Sequence, residues 1–332
     1  MDLSTRYLGL ELRNPVIASA SPLNLDLFNI AKLDHAGAAA VVLPSIFEEQ
    51  IEQEMEQVAR LTEIGADSHS EATGYFPSGA SYRTGPQQYL ELIRRARATV
   101  GIPIIASLNG VTHEGWVSYA KLAQEAGASA IELNIYFIPS DPAISGREVE
   151  QRYVDVLRAV KKSVSIPVAV KLAPYFSSVA NVAQQLVDAG ADGLVLFNRF
   201  YQPDVDLAKM QLRRDLDLSS PHEVRLPLLW LGVLAGRTRA SLAASTGVET
   251  ADEVVKYLLA GADVVMTTSA LLRHGVGHVQ DLIDGLVKWL QARDIHAVSA
   301  VRGRMSRGRL GNTAAFDRAN YIEILQGSTA RG

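Results

Sequence analysis

The sequence of 332 residues contains no cysteine. That absence excludes disulfides, thiolate metal sites, thiol nucleophiles and cysteine-ligated iron–sulfur clusters. No run of about 18 apolar residues occurs, so no transmembrane helix is expected. Charge of one sign is also missing: 32 Lys and Arg stand against 36 Asp and Glu, a formal net charge of −4. Neither nucleic acid nor an anionic membrane is expected as the main partner. The opening Met-Asp-Leu-Ser-Thr-Arg-Tyr has no basic segment leading into an apolar one, so no signal peptide is expected and a cytoplasmic location is. No Gly-x-Gly-x-x-Gly follows a strand-like run, which argues against a dinucleotide fold. No metal site is expected.

What is present is a hydrophobic content of 48%, ample for one large α/β domain or two ordinary ones. Short apolar runs recur at Pro15–Pro22, Ala38–Ser45, Ile102–Gly110, Ala130–Tyr136, Val168–Ala173, Gly193–Asn198, Ser241–Ala244 and Ala262–Thr268. Each reads as a buried strand, and most lead into a helical pattern, such as Glu114–Ala126, Val179–Ala189 or Ala251–Leu259. Four helical segments end in Ala-Gly-Ala, at Ala36–Ala38, Ala126–Ala128, Ala189–Ala191 and Ala260–Ala262. Glycine there suits a left-handed cap, with the next strand a few residues on. Repetition of helix, cap and strand requires parallel strands with helical crossovers. Eight such units predict a (β/α)₈ TIM barrel over residues 1–300. Leu226–Ala235 reads as a buried helix, because Pro227 suits a first turn and Ser241–Ala244 then supplies the strand.

Two insertions interrupt the pattern, one after strand two (48–85) and one after strand six (201–225). The first opens with an acidic, solvated stretch and passes through Gly74–Ala80, a loop rich in small residues and aromatics. Long insertions at the C-terminal ends of barrel strands are usually lids or partner surfaces. The basic tail 301–332 carries Arg302, Arg304, Arg307 and Arg309 and reads as a solvated or subunit-contacting segment.

Three groups of residues could carry chemistry. Strand seven runs into Ser245-Thr246-Gly247-Val248-Glu249-Thr250, and strand eight ends in Thr267-Thr268-Ser269. In barrels these two loops often hold a phosphoryl group on backbone N–H groups. The plainer alternative is that Thr250 only caps the following helix. Lys171 ends strand five. It reads as a Schiff-base lysine, as a cation facing an electron-rich ring, or as half of a structural ion pair. Asn109, Asn134 and Asn198 lie at the exits of strands three, four and six. Carboxamides donate and accept, which suits a planar ring with alternating N–H and C=O groups.

These segments together resemble the dihydroorotate dehydrogenase family. The resemblance is carried by Leu8–Ser21, by Ile131-Glu132-Leu133-Asn134, by Val170–Phe176, by Thr246–Thr250 and by Leu258–Leu271 in the same order. It implies an FMN-dependent oxidoreductase that oxidises a CH–CH bond of dihydroorotate or a related dihydropyrimidine, in pyrimidine biosynthesis. It also implies a separate electron acceptor and a homodimer. By the same resemblance, FMN would meet Ser19, Ala20, Ser45, Asn109, Lys171, Asn198, Ser245, Thr246, Gly247, Thr268 and Ser269. Asn134, Asn198 and Ser78 would hold substrate.

The chain departs from the family where the proton is removed. Phe137 stands at the position of the family's cysteine or serine base, and it cannot take a proton. Pro139 replaces an asparagine, Pro44 a lysine, and Thr246-Gly247 a glycine pair. A substitute base would come from Tyr136, Ser140, Asp141 or Ser78, with Tyr136 and Ser140 joined to Lys171 as the catalytic candidates. Two alternatives remain open: a silent or repurposed flavin barrel serving as a redox partner subunit, and a lyase forming a Schiff base on Lys171.

Overall fold

The computed structural model describes residues 1–47, 86–109, 113–199, 202–213 and 217–311. The chain starts with a hairpin, β1 (Thr5–Tyr7) and β2 (Leu10–Leu12), then forms β3 (Val16–Ala18), α1 (Leu27–His35) and β4 (Val41–Phe47). After the undescribed stretch come α2 (Pro86–Thr99), β5 (Ile104–Asn109), α3 (His113–Glu125), β6 (Ala130–Asn134) and α4 (Gly146–Ser163). Then follow β7 (Val168–Leu172), α5 (Val179–Asp188), β8 (Gly193–Leu196), and a second hairpin of β9 (Asp204–Asp206) and β10 (Gln211–Arg213). The chain closes with α6 (Arg225–Leu234), β11 (Ser241–Ala244), α7 (Ala251–Ala260), β12 (Val264–Thr267), α8 (Ser269–His274) and α9 (His278–Gln291).

Strands β3 to β8, β11 and β12 close into one parallel barrel in chain order. All eight apolar runs are therefore strands, and the expected TIM barrel is the fold. Gly37, Gly127, Gly190 and Gly261 all have φ between 95° and 123°, the conformation the repeated Ala-Gly-Ala was expected to supply. Leu226–Ala235 is helical, as α6, with Pro227 in its first turn.

Side chains alternate across the barrel wall. Ile131 and Leu133 of β6 face the helices in the outer core, while Ala130 faces the barrel axis. The same rule sends Val170 and Leu172 of β7 outward and Ala169 inward. Glu132, Asn134 and Lys171 follow their inward-facing neighbours. The inner cluster is small-sided, built from Ile17, Ala39, Val42, Ile105, Ala130, Ala169, Val195, Ala243, Val264 and Met266.

The first hairpin is a feature the sequence pattern did not reveal. Its tip, Leu8-Gly9, has φ of 54° and 76°, and it inserts Tyr7, Leu8 and Leu12 into the barrel's N-terminal end. Gly193 makes room, since a Cβ there would lie 2.5 Å from Leu8 Cδ2. The backbone N–H of Leu8 donates to Ser241 Oγ at 3.1 Å, and Thr5 Oγ1 donates to the carbonyl of Asp263 at 2.8 Å. The bottom of the barrel is thus plugged by the hairpin.

The described part of the basic tail is anchored by its backbone, while Arg302, Arg304 and Arg309 are exposed. Residues 301–311 run along the barrel: Gly303 and Met305 donate backbone N–H groups to the carbonyls of Leu258 and Leu259. Val301 and Ser306 are buried, and Arg302 pairs with Asp263. The insertion 48–85 and residues 312–332 lie outside the described residues, and so does Ser78.

Candidate active site at the barrel mouth

A cavity of about 390 Å³ opens at the C-terminal ends of the strands. Its size falls within the usual range for a small-molecule site. Lys171 enters from β7 and Asn198 from the end of β8, with Met266 below. Ser19 and Ala20 follow β3, Ser245, Thr246 and Gly247 follow β11, and Thr268 and Ser269 follow β12. All of these except Met266 are among the residues singled out in the sequence.

Geometry ties the two loops after β11 and β12 into one turn. Thr246 and Gly247 both take positive φ, 83° and 74°. A Cβ on Gly247 would lie 2.8 Å from Ser220 O and 2.8 Å from Val224 Cγ1, so only glycine fits. The N–H of Gly247 donates to Ser219 Oγ at 3.1 Å, and Ser219 Oγ donates to Ser269 Oγ at 2.9 Å. Ser269 Oγ also accepts from the Ser219 N–H at 3.0 Å. Thr250 does cap α7, in a box with Glu253, so the plainer reading of that residue holds beside the turn. Behind it, Arg273 donates to the carbonyls of Leu218 and Ser219, at 3.1 and 2.9 Å, and pairs with Glu249 at 2.5 Å.

A second network crosses the mouth. Asn198 donates to Asn134 Oδ1 at 2.7 Å, Asn134 donates to Ser45 Oγ at 3.1 Å, and Ser45 and Ser107 share a 2.8 Å hydrogen bond. Tyr89 from α2 accepts from the Ser107 N–H and donates to the Ser107 carbonyl, at 2.9 and 3.2 Å. Asn134 and Ser45 therefore position Asn198 without lining the cavity themselves. Asn109 is buried at the end of β5, also off the cavity wall.

Lys171 Nζ lies 3.7 Å from Glu132 Oε1, with side-chain exposures of 10% and 1%. In the sequence Glu132 stands out only as part of the Ile131–Asn134 motif. Its inward register, two residues before Asn134, was the available signal. Other contributors missed earlier are Arg199, Gln202 and Asp217, which rim the cavity, and Ser219, which links the turn. Arg199 pairs with Glu223 at 2.8 Å and donates to the carbonyl of Asp217.

The comparisons with known proteins fit this site. A family model described as dihydroorotate dehydrogenase matches residues 2–290. The chain belongs to the dihydroorotate dehydrogenase family. A relative from Thermoplasma acidophilum, named dihydroorotate dehydrogenase B (NAD(+)), catalytic subunit, is 27% identical over 310 residues, covering 91% of this chain and 98% of that one. One of the same name from Methanocaldococcus jannaschii is 25% identical over 312 residues, covering 88% and 95%. The Escherichia coli protein named NAD-dependent dihydropyrimidine dehydrogenase subunit PreA is 24% identical over 324 residues, covering 91% of this chain and 76% of its own length. These names agree with the expected class, an oxidoreductase acting on CH–CH donors.

Against the family pattern, each departure has a local setting. Phe137 does not line the cavity; its ring lies 4.0 Å from the Arg152 guanidinium and borders an adjacent apolar hollow of about 300 Å³ with Ile138, Tyr153 and Phe176. Pro44 coincides with a break in the β4–β5 register between Val42 and Ser45, as expected of a strand residue without an N–H. Ser140 and Asp141 are exposed, and the Asp141 carboxylate accepts from the Ala143 N–H at 2.8 Å. Tyr136 is half-buried just beyond Asn134 and, like Ser140, does not border the cavity. No helix among the described residues is long and apolar enough to cross a membrane.

Proposed function

We propose that this protein is an FMN-dependent oxidoreductase that acts on a CH–CH bond beside a carbonyl in a dihydropyrimidine-like ring. The observation that carries the reading is the pairing of Lys171 and Asn198 with the Thr246–Gly247 turn in one cavity. The donor set fits the cofactor. Gly247 lets the turn pack closely against Ser220 and Val224, and of the three serine hydroxyls there Ser219 and Ser245 donate within the chain, to Ser269 and to the Phe197 carbonyl. Among the described residues Ser269 Oγ accepts two hydrogen bonds, which leaves its own hydrogen to donate to a phosphate. Lys171 supplies the cation expected beside the flavin's pyrimidine edge.

When bound, FMN supplies a two-electron acceptor for hydride. The chain's part is to bind, orient and exclude water. The Asn198–Asn134–Ser45 chain fixes the Asn198 carboxamide, so its free edge is pre-aimed at a ring carrying N–H and C=O groups. The substituted base position favours a ring other than dihydroorotate, with the proton taken by a group other than residue 137. With no cysteine in the chain, a separate acceptor takes the electrons; two of the relatives above are named as catalytic subunits, which supports that arrangement.

The Schiff-base reading is disfavoured by the ion pair with Glu132, since a Schiff-base lysine is usually activated by apolar surroundings or another cation. A flavin barrel without turnover is the second reading, favoured by Phe137. One experiment separates them: an absorption spectrum of the purified protein, then anaerobic additions of dihydroorotate, dihydrouracil and dihydrothymine. Flavin bleaching by one of them supports the proposal. A colourless protein that takes up no FMN removes it, and a flavin that none of them bleaches supports the second reading.

A further inference from the structure

The interior of the barrel holds a carboxylate that the proposed function does not use. Glu132 is 1% exposed, and among the described residues neither carboxylate oxygen has a hydrogen-bond partner. A buried anion without hydrogen bonds is costly and persists only when something compensates it. The charged and titratable groups around it come from separate elements. Lys171 approaches from β7, with Nζ 3.7 Å from Oε1. Tyr7 approaches from the plugging hairpin, its buried hydroxyl also without a partner, and Tyr89 from α2. Tyr89 is committed to Ser107, at 2.9 and 3.2 Å. Among the described residues the charges of Glu132 and Lys171 therefore face each other alone.

At 3.7 Å the pair is an ion contact without the geometry of a hydrogen bond. Lys171 has not collapsed onto the carboxylate. Its side chain retains 10% exposure and reaches the cavity. The ammonium is therefore shared between an anion beneath it and whatever ring lies above.

We infer that Glu132 is a positioning residue and counter-charge for Lys171, setting how much positive charge the ammonium presents to the flavin and thereby lowering the flavin's reduction potential. This rests on the FMN reading above. The direction follows from electrostatics. Reduction puts negative charge on the ring, Lys171 favours it, and a fixed anion one side chain away opposes it. Removing the anion and keeping the side-chain shape frees the cation to act on the ring.

The test is Glu132→Gln, read by the midpoint potential of bound FMN in a dye-coupled titration. The ratio of reduced to oxidised flavin at fixed potential is expected to rise about tenfold or more, an upward shift of about 30 mV for a two-electron couple. A purely structural role would lower the melting temperature without moving the potential. The shift should be lost when Glu132→Gln is introduced into a Lys171→Met background. That double variant removes both charges together, so it also serves if the single variant fails to fold; it is then expected to match the potential of Lys171→Met. An unmoved potential in folded, FMN-loaded Glu132→Gln overturns the inference alone. A shift of equal size with and without Lys171 overturns it too. Failure of the wild-type protein to take up FMN overturns the functional reading and this inference with it.

Discussion

The phenol of Tyr257 on α7 donates a 2.6 Å hydrogen bond to the carbonyl of Thr246, the residue held at φ 83°. The same oxygen lies 3.3 Å from the carbonyl of Ser245. A β-branched residue at positive φ is strained by roughly 1–3 kcal/mol, and such strain persists only where the surroundings over-determine it. Tyr257 is fully buried and its pKa is raised, chiefly by burial and further by the charges of Glu253 and Glu223, so it stays a donor. The turn at the mouth of the cavity is clamped from beneath by one hydroxyl.

Tyr257→Phe is therefore expected to cost about 1–3 kcal/mol in urea unfolding, because buried carbonyls lose their donor. Thr246→Gly should do the opposite and add about 1 kcal/mol by relieving the strain. It loses only a weak 3.3 Å bond from Thr246 Oγ1 to the Phe197 carbonyl. A destabilised Thr246→Gly would show that the threonine is not under strain.

Gly247→Ala tests the cradle. The new Cβ meets Ser220 O and Val224 Cγ1 at 2.8 Å, at a residue with φ 74°. The turn must shift, at a cost of about 1–3 kcal/mol. FMN affinity, read by quenching of flavin fluorescence, should fall about tenfold or more, since about 1.4 kcal/mol is a factor of ten. Wild-type affinity in this variant would place the phosphate elsewhere.

Much of this was legible in the sequence, because barrel strands and Ala-Gly-Ala caps leave local signatures. The cavity's cation, its carboxamide and its two loops could be read from strand ends alone. What could not be read depends on partners distant in sequence. The plugging hairpin turns through Leu8 at φ 54°, a residue with no turn signature. Its place is set by Gly193 and Ser241, far along the chain. Glu132 looked like one letter of a family motif until the register of β6 and β7 put it beneath Lys171. Phe137 stands where the family resemblance puts the base, yet it borders the neighbouring apolar hollow, because the segment after Asn134 packs it against Arg152.

That placement makes a prediction about restoring the family residue. A working general base contributes about 10²–10⁴-fold. Phe137→Cys should gain far less than that in the rate of flavin reduction by dihydroorotate, measured by anaerobic stopped flow. The side chain at 137 starts outside the cavity, and Pro139 remains in place of the expected asparagine. A hundredfold gain would mean that the loop swings over the ring.

Acid should loosen the site through Glu249. Burial raises the pKa of this carboxyl, but the hydrogen bond from His274 Nε2 at 2.6 Å and the Arg273 guanidinium at 2.5 Å outweigh it and leave it below the ordinary 4.5. A carboxyl with a depressed folded-state pKa contributes stability that is complete above its unfolded value and is lost as pH falls through the folded one. The contribution is thus full above the ordinary carboxyl value of 4.5 and is lost as the pH falls below it through the folded one. Arg273 also holds the carbonyls of Leu218 and Ser219, so the loss reaches the loop that supports Gly247. Glu249→Gln should accordingly bind FMN more weakly than wild type near neutrality and converge with it in acid. A gap between the two proteins that stays constant from pH 7 down to pH 3.5 or so would show that the carboxylate's charge plays no part in holding the turn.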